Sequence, residues 1–210
     1  YVGRIPETGS IALAGLGVSF PIILLISAFA ALVGQGGAPQ ASIAMGQQDY
    51  KKANRILGTS TAFLIVLAAV LFAVFWVIRK PVLMMFGASE ATLPYADDYL
   101  KIYLLGTLSV QVSLGLNQFI SCQGFAKTSM ITVLIGAVLN IILDPVFIYG
   151  FNMGVKGAAW ATIISQTVSA LWVFLFLCSK KSILRLQLSN LRLDRNMLKP
   201  VLALGLSPFI

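Results

Sequence analysis

Asn140-Ile141-Ile142-Leu143-Asp144-Pro145 sets a carboxylate inside a long apolar run, and its reading decides what kind of protein this is. On insertion scales an acidic side chain at a bilayer centre costs roughly 2.5 to 3.5 kcal/mol, so an Asp kept there marks a functional position. Asp144 reads as the one acidic side chain within the long apolar runs. Asn140 and Asp144 stand four residues apart and share one helical face. Pro145 has no N–H, so the carbonyl of Ile141 loses its helical partner within the same turn. That turn offers a carboxylate, an amide oxygen and a freed carbonyl, all suited to a proton or a hard cation.

The composition around this stretch sets the compartment. With 58% apolar residues, 10% charged residues and a mean hydropathy of +0.90, the chain has too little polar surface for a soluble domain of 210 residues. It reads as an all-α polytopic membrane protein. The net charge of +8 comes from basic residues lying between apolar runs rather than along one solvated face, so it points to membrane orientation and not to nucleic acid. Cys122 and Cys178 lie in apolar runs without metal-ligand spacing and read as packing thiols. There is no histidine. No cleavable targeting segment is visible at Tyr1. The last apolar run, 198–210, stops after about 13 residues, short of the roughly 20 needed to cross. The chain is expected to be an internal piece of a longer polytopic protein.

Hydropathy predicts a helical bundle of five complete spans, at 11–33, 56–78, 99–120, 130–149 and 157–178, plus the start of another. Pro21 is expected to kink the first and act as a hinge, as Pro145 does in the fourth. Residues 34–54, GQGGAPQASIAMGQQDYKKAN, are expected to form a loop, with at most a short interfacial helix at 38–46. This stretch lacks GxxxxGK[ST] and is no phosphate cradle. The second span has no polar side chain over 62–78 except the Trp76 indole, so it is expected to face lipid at the bundle periphery. Residues 79–81 and 87–98 are expected to form a loop. On the third span Thr107, Gln111, Gly115, Gln118 and Cys122 make one stripe, which reads either as close helix packing or as a cavity wall.

The fourth span repeats Thr132, Gly136, Asn140 and Asp144 every fourth residue. The fifth carries Thr162, Ser165, Gln166 and Ser169 on one side. Counting 1.5 Å per residue from their short connection sets Asp144 level with Thr162, about 8 Å below one surface, and Asn140 level with Gln166. A plainer reading stays open, in which the buried Asp is hydrogen-bonded only to hold two helices together. Gln111, Gln118, Gln166 and Ser169 are the candidate cavity-lining residues.

Ten basic residues, Lys51, Lys52, Arg55, Lys127, Lys180, Lys181, Arg185, Arg192, Arg195 and Lys199, fall on one side of this arrangement. The remaining five, Arg4, Arg79, Lys80, Lys101 and Lys156, fall on the other. The richer side is expected to be cytoplasmic. Trp76, Tyr95, Tyr99, Tyr149 and Trp160 are then expected to form the outer aromatic belt, with Asp144 in the outer half of the bilayer.

Asn140-Ile-Ile-Leu-Asp144-Pro-Val-Phe-Ile-Tyr-Gly150, followed by Gly154-Val-Lys-Gly157-Ala-Ala-Trp-Ala-Thr162-Ile-Ile-Ser-Gln166, resembles helices five and six of the multidrug and toxic compound extrusion transporters. The 34–54 stretch, Gln123-Gly124 and Ala203-Leu-Gly-Leu-Ser-Pro208 extend the resemblance over essentially the whole chain. It implies that residues 1–199 are most of an N-terminal lobe, helices two to six with the cytoplasmic linker, and that 200–210 begin helix seven. It also implies a cation- or proton-binding site at Asp144, Asn140 and Thr162, whose further acidic partner on helix one would precede Tyr1. Many relatives have Arg-x-Glu where this chain has Ser121-Cys122-Gln123. The function implied is secondary antiport at the cell membrane, exporting drugs or other small organic compounds against protons or sodium. There would be no cofactor, no metal other than sodium at Asp144, no nucleic-acid partner, lipid as the surroundings, and a full-length monomer as the working unit. Three rivals differ in class. A flippase for lipid-linked sugars is expected to carry more cationic residues in its cavity, and a non-transporting structural subunit would leave Asp144 unexplained. An enzyme lacks its chemistry here, with no His, no nucleophile beside a base and one intramembrane carboxylate.

Overall fold

The structure is a computed structural model and describes residues 1–5 and 8–206. Among these residues every regular element is helical: α1 (Gly9–Gly46), α2 (Tyr50–Met85), α3 (Leu93–Leu105), α4 (Thr107–Ser121), α5 (Ala126–Pro145), α6 (Gly154–Cys178) and α7 (Arg195–Leu206), with short turns between them. The chain is a multi-pass membrane protein. Four helices are each long and apolar enough to cross, and α3 with α4, bent by 59° at Gly106, makes a fifth when the pair is taken as one span. Helices α1, α4 and α6 form the middle, α2 flanks α1 and α4, α5 lies on α6, and α7 packs on α1 and α2. Of the segment 200–210 expected to begin a further helix, residues 207–210, and with them Pro208, lie outside the described residues. So do Pro6 and Glu7 of the expected first loop.

Lipid tails are as apolar as Leu, so close backbone approach does much of the work of holding such helices together. This explains the largest departure from expectation. Residues 34–46 are not a loop: α1 continues through them, and through both Pro21 and Pro39, so Pro21 does not break the helix. A Cβ at Gly34 would lie 2.7 Å from the Gly115 carbonyl oxygen of α4, and one at Gly37 would lie 2.5 Å from the Phe119 ring. The glycines that suggested a loop are where α1 meets its neighbours. Their entropic cost, roughly 0.5–1 kcal/mol each relative to Ala, is offset by that contact. The chain reverses only at Gln47–Asp49 (47–49), where Gln48 has φ 61° and Asp49 Oδ1 accepts from the Lys52 N–H at 2.9 Å to start α2.

Helix α2 also runs further than expected, through Pro81 to Met85, so 79–81 are helical. Its Leu64, Ala68, Leu71 and Phe75 form a buried stripe, while Ile65, Val66, Val70, Val74 and Val77 are exposed. It lies at the periphery with one face packed.

The third span is broken, not continuous. The Gly106 N–H donates to Tyr103 O (2.9 Å), Thr107 Oγ1 donates to Leu104 O (2.7 Å), and a Cβ at Gly106 would lie 2.8 Å from Ile163 Cγ1 of α6. Glycine lets the bend sit against α6. A lone glycine in an apolar run gives little warning of this, because such residues are also tolerated in straight helices.

Asp97, expected in a loop, is instead a buried residue of α3 (5% exposed). It pairs with Arg79 Nε of α2 and Lys101 Nζ, each at 2.7 Å. Arg79 also donates to the Trp76 carbonyl and lies over the Trp76 ring. Asp97→Asn leaves two cations without their carboxylate and should lower stability by about 1–3 kcal/mol, less than a fully buried pair because Lys101 is partly exposed. A thermal unfolding midpoint equal to wild type in detergent would contradict this role.

A polar cavity beside Asp144

Pro145 ends the regular part of α5, and the chain continues through the π-helical turn Val146–Gly150. It reverses at Asn152 and Gly154, with φ of 52° and 55°. Gly157 then rests on the Phe147 backbone, where a Cβ would lie 2.7 Å from the carbonyl carbon. Because α6 begins at Gly154, three residues earlier than expected, the depths change. Asn140 Nδ2 donates to Thr162 Oγ1 at 3.4 Å, and Ser169 Oγ donates to the Thr132 carbonyl at 3.1 Å. Asn140 is therefore level with Thr162 rather than with Gln166. Asp144 stands one turn, about 6 Å, nearer the connection than both.

Between α4, α5 and α6 lies a cavity of about 390 Å3. Of the residues expected in or near the site, Asn140, Thr162, Gln118, Gln166 and Ser169 line it. Gln111 does not. It is fully buried, and its Nε2 donates to the Ile26 carbonyl of α1 at 2.9 Å. The stripe on the third span thus divides, with Gln111 and Gly115 packing against α1 and Gln118 facing the cavity. Gln118 and Cys122 also line a second space of about 410 Å3 toward the other end of α4, together with Gln35 and Ser42 of α1.

A second stripe on α4 escaped the sequence reading. Ser109, Ser113 and Asn117 recur every four residues and tie α4 to its neighbours: Ser109 Oγ lies 3.0 Å from Thr167 Oγ1, Ser113 Oγ donates to Gln166 Oε1 (2.8 Å), and Asn117 Nδ2 donates to the Ser129 carbonyl (3.2 Å). The spacing of four was the available signal, masked by the neighbouring stripe. Tyr99 was missed as well. It is no part of an aromatic belt, being 8% exposed. It packs in the buried cluster that includes Ala158 and Ala159 of α6, and its ring stacks on Tyr103 at 6.1 Å. Trp76, Tyr149 and Trp160 are the belt residues that remain exposed.

Three buried oxygens in this region have no hydrogen-bond partner: Asp144 Oδ1, Asn117 Oδ1 and Ser165 Oγ. A buried polar group left unpaired costs about 1–3 kcal/mol. Asp144, Asn140 and Thr162 present a carboxylate, an amide and a hydroxyl, the oxygen set that suits a hard monovalent or divalent cation or, at the carboxylate, a proton. Among the described residues no three His, Cys, Asp or Glu side chains come together as a metal cluster.

Residues 1–146 match the family model described as MatE. The chain belongs to the multidrug and toxic compound extrusion (MATE) family. Among its MATE relatives, the "Multidrug export protein MepA" of Staphylococcus haemolyticus is 29% identical over 94% of this chain and 44% of its own length. MepA of Staphylococcus aureus strain NCTC 8325 is 27% identical over 100% of this chain and 46% of its own. The chain thus spans a little under half the length of these curated relatives. A solved structure described as the inward-facing conformation of a multidrug resistance MATE family transporter superimposes with a TM-score of 0.89 at 27% identity, covering 93% of this chain and 45% of that one. The one described as outward-facing gives 0.88 at 28% identity, covering 97% and 45%.

Proposed function

We propose that this MATE chain is the cation-binding lobe of a secondary antiporter that exports small organic compounds in exchange for protons or sodium. The observation that carries the reading is Asp144 Oδ1, buried without a partner one turn from the Asn140–Thr162 pair. A structural aspartate would have its oxygens satisfied by the helices it joins. In this reading Asp144, Asn140 and Thr162 hold the coupling ion, Gln118, Gln166 and Ser169 line the space beside it, and Pro145 is the point at which α5 yields. Residues 1–199 act as one lobe, with 200–210 opening the next. Near-equal likeness to inward-facing and outward-facing structures, 0.89 and 0.88, supports a lobe that moves as a unit. Pairing of Arg79, Lys101 and Lys156 with Asp97 and Asp98 leaves the other end of the bundle the more cationic one and supports its cytoplasmic placement. The cavity lining carries no Lys or Arg, which favours drug-like substrates over the anionic pyrophosphate of a lipid-linked sugar.

Burial favours a neutral carboxyl and a nearby cation favours a charged one, so loading the site changes its charge and the packing around Pro145. A membrane potential of 100 mV acting on one charge is worth roughly 2.3 kcal/mol, or about 50-fold accumulation of a neutral substrate. The test is uptake of a fluorescent organic dye into everted vesicles carrying the natively expressed protein, with an imposed proton gradient, an imposed sodium gradient, or neither. Accumulation should follow one of the two ions. Uptake indifferent to both, or driven by ATP with both collapsed, would overturn the reading.

A further inference from the structure

A separate polar cavity of about 250 Å3 lies at the opposite end of the bundle from Asp144. Arg55 and Thr59 of α2, Ser189 and Asn190 of the short turn Leu188–Asn190, and Arg192 and Asp194 just before α7 line it. The turn is seated directly on α2. A Cβ at Gly58 would overlap the Asn190 carbonyl, so only glycine lets the linker lie so close. One turn earlier on α2, Asn54 Oδ1 accepts from the Arg185 N–H at 2.8 Å and ties the linker down again. The walls are therefore built by packing, and Thr59 is 2% exposed at their base.

Those walls carry a net positive charge, two arginines against one aspartate. Neither Arg55 nor Arg192 is ion-paired among the described residues. The lone carboxylate, Asp194, has Oδ1 occupied by the Asn196 N–H at 2.9 Å, at the start of α7. What faces the space is two guanidinium groups, two hydroxyls, an amide and the remaining oxygen of Asp194, two positive charges against one negative. Lys51 and Lys52 begin the same helix, and Arg195 begins α7.

We infer that this cavity binds a phosphate-bearing anion, with Arg55 and Arg192 donating to the phosphate oxygens and Thr59, Ser189 and Asn190 completing the shell. Planar guanidinium forks match phosphate oxygens two at a time, and basic pockets between membrane helices at headgroup level take anionic lipid headgroups. An anionic phospholipid and free phosphate offer the same group. Because Arg55 belongs to α2 and Arg192 lies three residues before α7, the bound anion would clamp the linker and α7 to the rest of the lobe. This inference is independent of ion coupling at Asp144.

The experiment measures thermal unfolding of the delipidated, natively expressed protein in neutral detergent during titration with phosphatidylglycerol, phosphatidylcholine or inorganic phosphate at constant ionic strength. Phosphatidylglycerol should raise the midpoint saturably where phosphatidylcholine does not. Arg55→Gln with Arg192→Gln should weaken the half-saturating concentration by about tenfold or more. Lys51→Gln with Lys52→Gln, which removes the same charge outside the cavity, should change it by less than about twofold. An equal, Arg-dependent shift with inorganic phosphate alone would assign the site to the free anion. Should the double arginine variant not fold, Arg55→Lys keeps the charge, loses the fork and should still weaken the response. Equal responses to the two lipids, or equal weakening by the lysine and arginine pairs, would overturn the inference.

Discussion

Asp144→Asn is expected to abolish ion-driven accumulation of dye while leaving the protein folded and as stable as wild type or more so. The substitution keeps the shape of the side chain and its Oδ1, the oxygen that already has no partner. It removes the ability to exchange a charge. For a neutral dye at 100 mV the ratio should fall from about 50-fold to about one, because no ion remains to carry the potential into the cycle. Stability separates this from a structural role. A carboxylate that tied α5 to α6 would leave its partner stranded when neutralised and lower the unfolding midpoint by the few kcal/mol typical of a broken buried pair. A carboxylate held for coupling sits there at a cost, and neutralising it relieves that cost. Vesicles carrying Asp144→Asn that accumulate dye as wild type does would sink the coupling role. A drop in midpoint with residual transport would favour the helix-joining one. Substrate binding without a gradient should persist in the variant, since the cavity-lining side chains Gln118, Gln166 and Ser169 are untouched.

The five spans and the two faces that carry Asn140, Asp144 and Thr162 were legible because hydropathy and helical spacing survive in one sequence. What was not legible has a common cause. Gly34, Gly36 and Gly37 look like a break when read locally and Gly58 and Gly106 look like ordinary span residues, yet four of the five are contact points and Gly106 is both contact and bend. Glycine marks a place where something comes close, and the chain alone does not say what. The level of Asn140 was not legible for a related reason. Whether α6 begins at Gly154 or Gly157 depends on Gly157 resting against Phe147, a tertiary contact that moved Asn140 from the level of Gln166 to that of Thr162. Tyr99 fits a belt by position and chemistry, and only the bend at Gly106 with the packing of α3 on α6 turns it inward. Asp97 was hidden by its acidic neighbours Glu90 and Asp98, which read with it as a loop.

Gly36→Val should cost about 3 kcal/mol or more, at the upper end of overpacking effects, because the colliding atoms are backbone. The Cβ would overlap the Val201 carbonyl oxygen of α7 and come within 2.8 Å of the Gly205 N–H nitrogen. In return, a Cβ at Gly205 would overlap the Leu32 carbonyl of α1. Side chains can turn aside, but here two main chains touch, so relief requires α1 and α7 to separate. Gly17 lies in the same helix with nothing within 4 Å of its Cβ position. Gly17→Ala should therefore stabilise by about 0.5–1 kcal/mol through lost chain entropy alone. Opposite signs within one helix distinguish contact from propensity. Gly36→Val should also expose the linker, so trypsin should cut faster after Arg192 and Arg195. Gly36→Ala with Gly205→Ala should cost less than the sum of the two singles, since one separation of the helices relieves both collisions. Strict additivity, or unchanged proteolysis in Gly36→Val, would mean that α7 does not rest on α1 through this pair of glycines.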